Sequence, residues 1–219
     1  MRGLIAVMAV AGLMPALTAR AEFIVQDSLQ KDQGWSSFDS KVSFSEAGLT
    51  AFGVIARELE WLPSEFDARI TIDASKAIVW GFGVAGSYSP ETGFSGFAMV
   101  ADQQEKPGIT FGRWENDKIV DSIWIDAEAR KMFDGLHEIT IGVRDSVVFA
   151  GIDGAVVGKL GFDAKPAGTQ VVLASFSDGD THFRDLSIIA RIPSQGGAMA
   201  AVPLLILTAS KRRRPKAAA

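Results

Sequence analysis

The chain of 219 residues contains no cysteine, two histidines and one tyrosine. Without cysteine no disulfide staples the fold and no thiolate site holds a metal, so burial alone must carry stability. The two histidines, His137 and His182, stand far apart and show neither HxH nor HExxH spacing. Zinc is therefore left without a ligand pattern, and both side chains are expected to pack at strand edges.

Acidic residues are missing from both ends. All 26 lie between Glu22 and Asp185, whereas 2 of the 22 basic residues precede Glu22 and 5 follow Pro193. The stretch between the ends thus carries 15 basic against 26 acidic residues, a net charge of −11 hidden by the whole-chain value of −4. A body of that charge repels phosphate backbones, which argues against nucleic acid as a partner.

The ends themselves read as export addresses. Arg2 opens an apolar stretch from Leu4 to Leu17, and Ala19-Arg20-Ala21 places small residues where signal peptidase cleaves. At the other end Pro193 precedes a polar Ser194-Gln195-Gly196-Gly197, an apolar segment from Ala198 to Ala209, and Lys211-Arg212-Arg213-Arg214. Adjacent cations resist transfer through hydrocarbon and stay on the cytoplasmic side, so the body is expected to face outward. Twelve apolar residues in a helix reach about 18 Å against a hydrocarbon core of about 30 Å, which suits a transient signal better than a permanent anchor. The expected organisation is a signal-peptide helix over 1–21, one domain over 22–192, and a sorting or membrane segment with a short apolar helix over 193–219.

The body reads as β throughout. Phe66–Asp73 and Glu138–Arg144 alternate apolar and polar residues, the period of half-buried strands. The runs 77–84, 94–101, 119–125, 147–152 and 170–176 look more deeply buried, and turn residues such as Ser89-Pro90-Glu91-Thr92-Gly93 and Glu115-Asn116-Asp117 separate the strands. Asp153-Gly154 between two apolar runs marks a tight hairpin. A single short helix is expected from about Asp126 to Phe133, stopped by Gly135. Many strands at this spacing predict an antiparallel sandwich.

Asp27-Ser28-Leu29, Gly34-Trp35 and the run Val42 to Thr50 are similar to the first strands of concanavalin A-like lectin and glucanase domains of the laminin-G-like group. The close matches them further, through the hairpin Val147 to Gly158 and His182-Phe183-Arg184-Asp185-Leu186-Ser187-Ile188. The resemblance implies an all-β, two-sheet jelly-roll sandwich. The C-terminal order of proline, polar gap, apolar segment and arginine cluster, with Pro193, Arg212, Arg213 and Arg214, resembles a PEP-CTERM sorting signal, although Ile192-Pro193-Ser194 replaces the Pro-Glu-Pro. That resemblance implies an exosortase-like processing enzyme, transient contact with the inner membrane, and residence at the cell surface or in an extracellular matrix. Ala19 and Ala21 are the small residues preceding the expected signal-peptide cleavage after Ala21.

A retaining glycosidase needs two carboxylates about 5 Å apart. Glu58 and Glu60, Glu65 and Asp67, and Asp126 and Glu128 have i, i+2 spacing, but none extends to the Glu-x-Asp-x-x-Glu of laminarinase-type relatives. Glu65 and Asp67 are expected to face water at the start of their strand. Asp178-Gly179-Asp180 with Asp185 offers hard oxygen ligands to calcium, and equally forms an ordinary Asp-Gly turn; no other cofactor is implied. Among the five tryptophans, Trp80 belongs to an apolar run and is expected in the core, while Trp114, flanked by Arg113 and Glu115, and Trp61, near Pro63, have the mixed setting of a sugar site. For Trp124, between Ile123 and Ile125, the pattern does not choose a face. Three roles stand open: a non-catalytic surface or matrix protein binding polysaccharide, a glycoside hydrolase of glucanase-like fold, and a purely structural or adhesive surface protein. The missing carboxylate motif favours the first.

Overall fold

The structure is a computed structural model that describes residues 22–75, 78–103, 107–126, 132–133, 135–164, 168–176 and 181–191. Among the described residues thirteen strands follow in chain order: β1 (Glu22–Asp27), β2 (Ser36–Ser45), β3 (Gly48–Glu58), β4 (Phe66–Asp73), β5 (Val79–Ser89), β6 (Gly93–Asp102), β7 (Gly108–Glu115), β8 (Lys118–Asp126), β9 (Leu136–Arg144), β10 (Val147–Ile152), β11 (Ala155–Gly161), β12 (Gln170–Ser175) and β13 (His182–Ala190). No helix occurs among the described residues. The two terminal helices expected from the sequence, with Ala19, Ala21, Pro193 and Arg212 to Arg214, lie outside them.

Every pairing is antiparallel, and the strands form two layers. One runs β1-β13-β4-β9-β10-β11, the other β2-β3-β12-β5-β6-β7-β8. They meet at a corner where His182 and Phe183 pair with Thr50 and Leu49. At the far side β11 lies against the β7/β8 edge, with Gly158 facing the side chains of Phe111, Ile123 and Ile125. The fold is an all-β antiparallel sandwich of jelly-roll type, nearly closed at both sides, as the sequence pattern and resemblance imply.

Alternation builds the core. Phe66, Ala68, Ile70 and Ile72 of β4 point inward and are fully buried, as are Ile139, Ile141 and Val143 of β9. From the opposite layer come Trp80, Phe82 and Val84 of β5, Met99 of β6 and Phe111 of β7. Each of the larger side chains contributes roughly 1.5–3 kcal/mol when buried, and with no disulfide this is what holds the sandwich shut. Trp80 is thus in the core, as expected.

Several local expectations are corrected. The run Ile119 to Ile125 is mostly exposed, because β8 is the last strand of its layer and only Ile123 and Ile125 reach inward. Trp124 accordingly takes the outer face. Asp126 ends β8 instead of capping a helix, Met132 and Phe133 form a turn, and the remainder of that expected helix lies outside the described residues.

Asp67 does not face water. It points to the outer side of β4 yet is 2% exposed, because Arg144 and Arg191 close over it. Arg144 Nη2 donates at 3.0 Å, Arg191 Nε donates at 2.8 Å, and Arg69 lies 4.0 Å away. Its neighbour Glu65 accepts from the Asp145 backbone N–H at 3.4 Å. The Asp27 motif also has a structural reason. Its buried carboxylate accepts from the Leu29 N–H, the Trp35 indole N–H and Arg57, tying the first strand to the loop and to β3.

Candidate functional site

The seven-stranded layer has a second apolar face, turned away from the core. In β5 the order Trp80-Gly81-Phe82-Gly83 puts the aromatic rings inside and glycines outside, so the outer surface is sunken there. Ala98 of β6 and Val172 and Ala174 of β12 continue this shallow floor. Phe94, Tyr88, Trp114 and Phe176 stand around it. The result is a groove of about 400 Å³, within the size range of small-ligand sites.

Beneath the groove, Ala56, Phe94, Ala98 and Val172 form a buried cluster separate from the main core, with Trp114 and Tyr88 packed against it. The β7–β8 hairpin fixes one end. Asn116 and Asp117 take φ of +51° and +60°, the paired left-handed geometry of a two-residue turn. Asp117 Oδ1 then accepts the Phe94 backbone N–H at 2.7 Å, and the Asp117 N–H donates to the Phe94 carbonyl at 2.9 Å. Of the described residues lining the groove, Asp117 is the one carboxylate.

Trp114, singled out from the sequence, lines this groove. Its indole N–H is covered by protein without a hydrogen-bond partner, so the carbon skeleton of the ring is what the groove meets. Arg113 and Glu115 do not join it. The pleat sends them to the opposite side of β7, where they approach each other at 3.7 Å, and Arg113 enters a smaller cavity of about 160 Å³ with Asp121 and Phe162. Trp61 is exposed in the β3–β4 connection and does not line the groove.

The calcium candidates are not brought together as far as they are described. Asp178 and Asp180 lie outside the described residues, and Asp185 sits at φ +52° in an irregularity of the β13–β4 pairing. No group of three or more potential metal ligands occurs among the described residues. His137 Nδ1 lies 2.8 Å from Asp153 Oδ2 at the β9 edge, and His182 opens β13.

One carboxyl near the sheet corner is perturbed. Burial alone would raise Asp73, but the Ser75 hydroxyl (2.8 Å) and backbone N–H, together with the charges of His182 and Arg184, outweigh it and hold the group below its usual range. It does not line the groove.

Sequence reasoning names Trp114, which lines the groove, and does not name the floor. The signal was the Gly81/Gly83 alternation inside an apolar run: two successive outward positions held by glycine leave space above the strand.

No protein-family model and no characterised protein sequence matches the chain. Solved structures do. The fold is similar to the carbohydrate binding module CBM66 from Bacillus subtilis, with a TM-score of 0.55 and 10% identity over 72% of this chain and 96% of that one. It is also similar to a prokaryotic β-1,3-1,4-glucanase (lichenase) derived from a mouse hindgut metagenome, with a TM-score of 0.53 and 10% identity over 77% and 99% of the two chains. A legume lectin-like domain from Entamoeba histolytica gives a TM-score of 0.51 and 11% identity over 77% and 97%. At these identities the likeness establishes the jelly-roll fold.

Proposed function

We propose that the protein is an exported, non-catalytic surface or matrix protein that binds polysaccharide in the groove on the outer face of the seven-stranded layer. The observation that carries the reading is the groove itself, a glycine and alanine floor edged by Trp114, Tyr88, Phe94 and Phe176. Sugars present apolar C–H faces, and a flat aromatic edge over a sunken floor accepts such a face by stacking. The similar folds of a carbohydrate binding module, a lectin-like domain and a glucanase support a glycan as the occupant.

Binding without cleavage is favoured by the carboxylates. Glycoside hydrolysis of the usual kind needs two, and Asp117 stands alone in the described lining with one oxygen already engaged by a backbone N–H. Export is supported by Arg2 to Ala21 and by the segment from Pro193 to Arg214, with a signal peptidase and an exosortase-like enzyme as processing partners.

The test is affinity electrophoresis of the full chain against a panel of neutral and charged polysaccharides, alongside a reducing-sugar assay. Retardation by at least one neutral polymer, lost in Trp114→Ala, with no sugar released, is the expected result. Failure of the full chain to bind any member of the panel at millimolar sugar overturns the reading, and sugar release replaces it with the hydrolase. Finding the full-length product unprocessed in the cytosol removes the exported role.

A further inference from the structure

The outer face does not end at Trp114. Trp124 of β8 pairs with Thr110 of β7, and Ile119 pairs with Trp114. Cross-strand partners share a face, and Thr110 and Trp114 are four residues apart on one strand, so both indoles rise from the same side, about 13 Å apart along it. Trp124 lies against Gly108: a Cβ built there would meet the indole at 2.1 Å. Its ring thus rests on bare backbone, and 46% of the residue remains open to solvent. Thr110 stands directly beside Trp124 on this face, and the Gly112–Ser122 pair lies between the two rings, none of them charged.

Resting on the glycan-binding reading above, we infer that Trp124 is a second stacking platform, and that the protein recognises an internal stretch of an extended, uncharged polysaccharide laid along β7 and β8. Two indoles at this separation match a short oligosaccharide and exceed a single sugar. The Ser122 hydroxyl between them and the Thr110 hydroxyl beside Trp124 suit sugar hydroxyls, which both donate and accept. An anionic polymer is disfavoured, because the strip offers it no cation and the body carries a net −11. Gly108 is part of the device, since any side chain there would lift Trp124 from the sheet.

The test uses the full chain with mixed-linkage β-1,3-1,4-glucan oligomers from disaccharide to octasaccharide, followed by NMR titration. Wild type should gain affinity with length until the oligomer spans both rings. Trp124→Ala should lose about tenfold or more on the long oligomers, the loss expected on truncating a tryptophan anchor, and keep wild-type affinity for the shortest one that binds. Trp124→Phe, which retains a ring, should fall between them and guards against a folding artefact. If Trp124→Ala follows the wild-type length dependence, or weakens all lengths equally, the second platform is wrong while the groove stands. If wild type binds neither these oligomers nor their parent polymer, this inference is wrong for the glucan, and the glycan reading is decided separately by the polysaccharide panel.

Discussion

Asp67 and Arg191 are 124 residues apart in sequence and joined in the fold, with Arg191 Nε donating to Asp67 Oδ2 at 2.8 Å. Asp67 is buried, and Arg144 completes the cover from β9. Removing the carboxylate leaves two guanidinium groups facing each other without their counter-ion. Breaking a fully buried pair costs about 3–5 kcal/mol, but these arginine side chains are 44% and 48% exposed and water recovers part of the loss. Asp67→Ala is therefore expected to destabilise the domain by about 2–3 kcal/mol. Urea unfolding measures it, and a change below about 0.5 kcal/mol, the usual range for surface substitutions, would mean that the cluster is merely superficial.

The hairpin between β10 and β11 makes a second prediction. Asp153 and Gly154 take φ of +50° and +78°, and the Asp153 carboxylate also accepts the Glu138 backbone N–H at 2.9 Å. Gly154 has open space around it, so a substitution there tests backbone strain alone. Gly154→Val should cost about 1–2 kcal/mol, the penalty for holding a branched residue in left-handed geometry. An unchanged melting temperature would show that the turn can adopt another form.

This hairpin was legible in the sequence because the constraint is local: two adjacent residues determine the turn. The same holds for β4, whose alternation is kept without a break by Phe66, Ala68, Ile70 and Ile72. Asp67 was not legible, since its burial depends on Arg144 and Arg191, which only the antiparallel pairing of β4 with β9 and β13 brings near. Exposure along β8 was misjudged for a related reason. Its residues have strand character, but being the outermost strand is a property of sheet order, which composition does not encode. Likewise Trp114, Arg113 and Glu115 are neighbours in sequence, and it is the pleat that separates them.

Asp73 gives the pH dependence. Its carboxyl is held below the usual range in the folded chain, so the folded state binds that proton less tightly than the unfolded chain does. The resulting stability is fully present above the unfolded value of about 3.9 and is lost as pH falls through the lower folded value. Asp73→Asn removes this dependence. Urea midpoints of wild type and variant should be separated near neutrality and converge as the medium is acidified below about pH 4. A constant separation across the acid range would show that the Ser75, His182 and Arg184 contacts do not act through ionisation.

Gly81 tests the groove without disturbing what supports it. It lies in the floor with ordinary backbone geometry, and a Cβ built on it would meet Ala174 Cβ at 3.5 Å and Val100 Cγ2 at 3.7 Å, normal contact distances. Gly81→Val therefore fits the strand, and because valine suits an extended backbone better than glycine, stability should stay within about 1 kcal/mol of wild type. The two added methyls would occupy the space above the floor. Polysaccharide retardation should then be lost while the melting curve is preserved, a combination that Trp114→Ala cannot deliver so cleanly, because Trp114 also packs on the Phe94 cluster. If Gly81→Val binds as wild type does, the ligand does not enter the groove, and recognition must lie elsewhere on the sandwich.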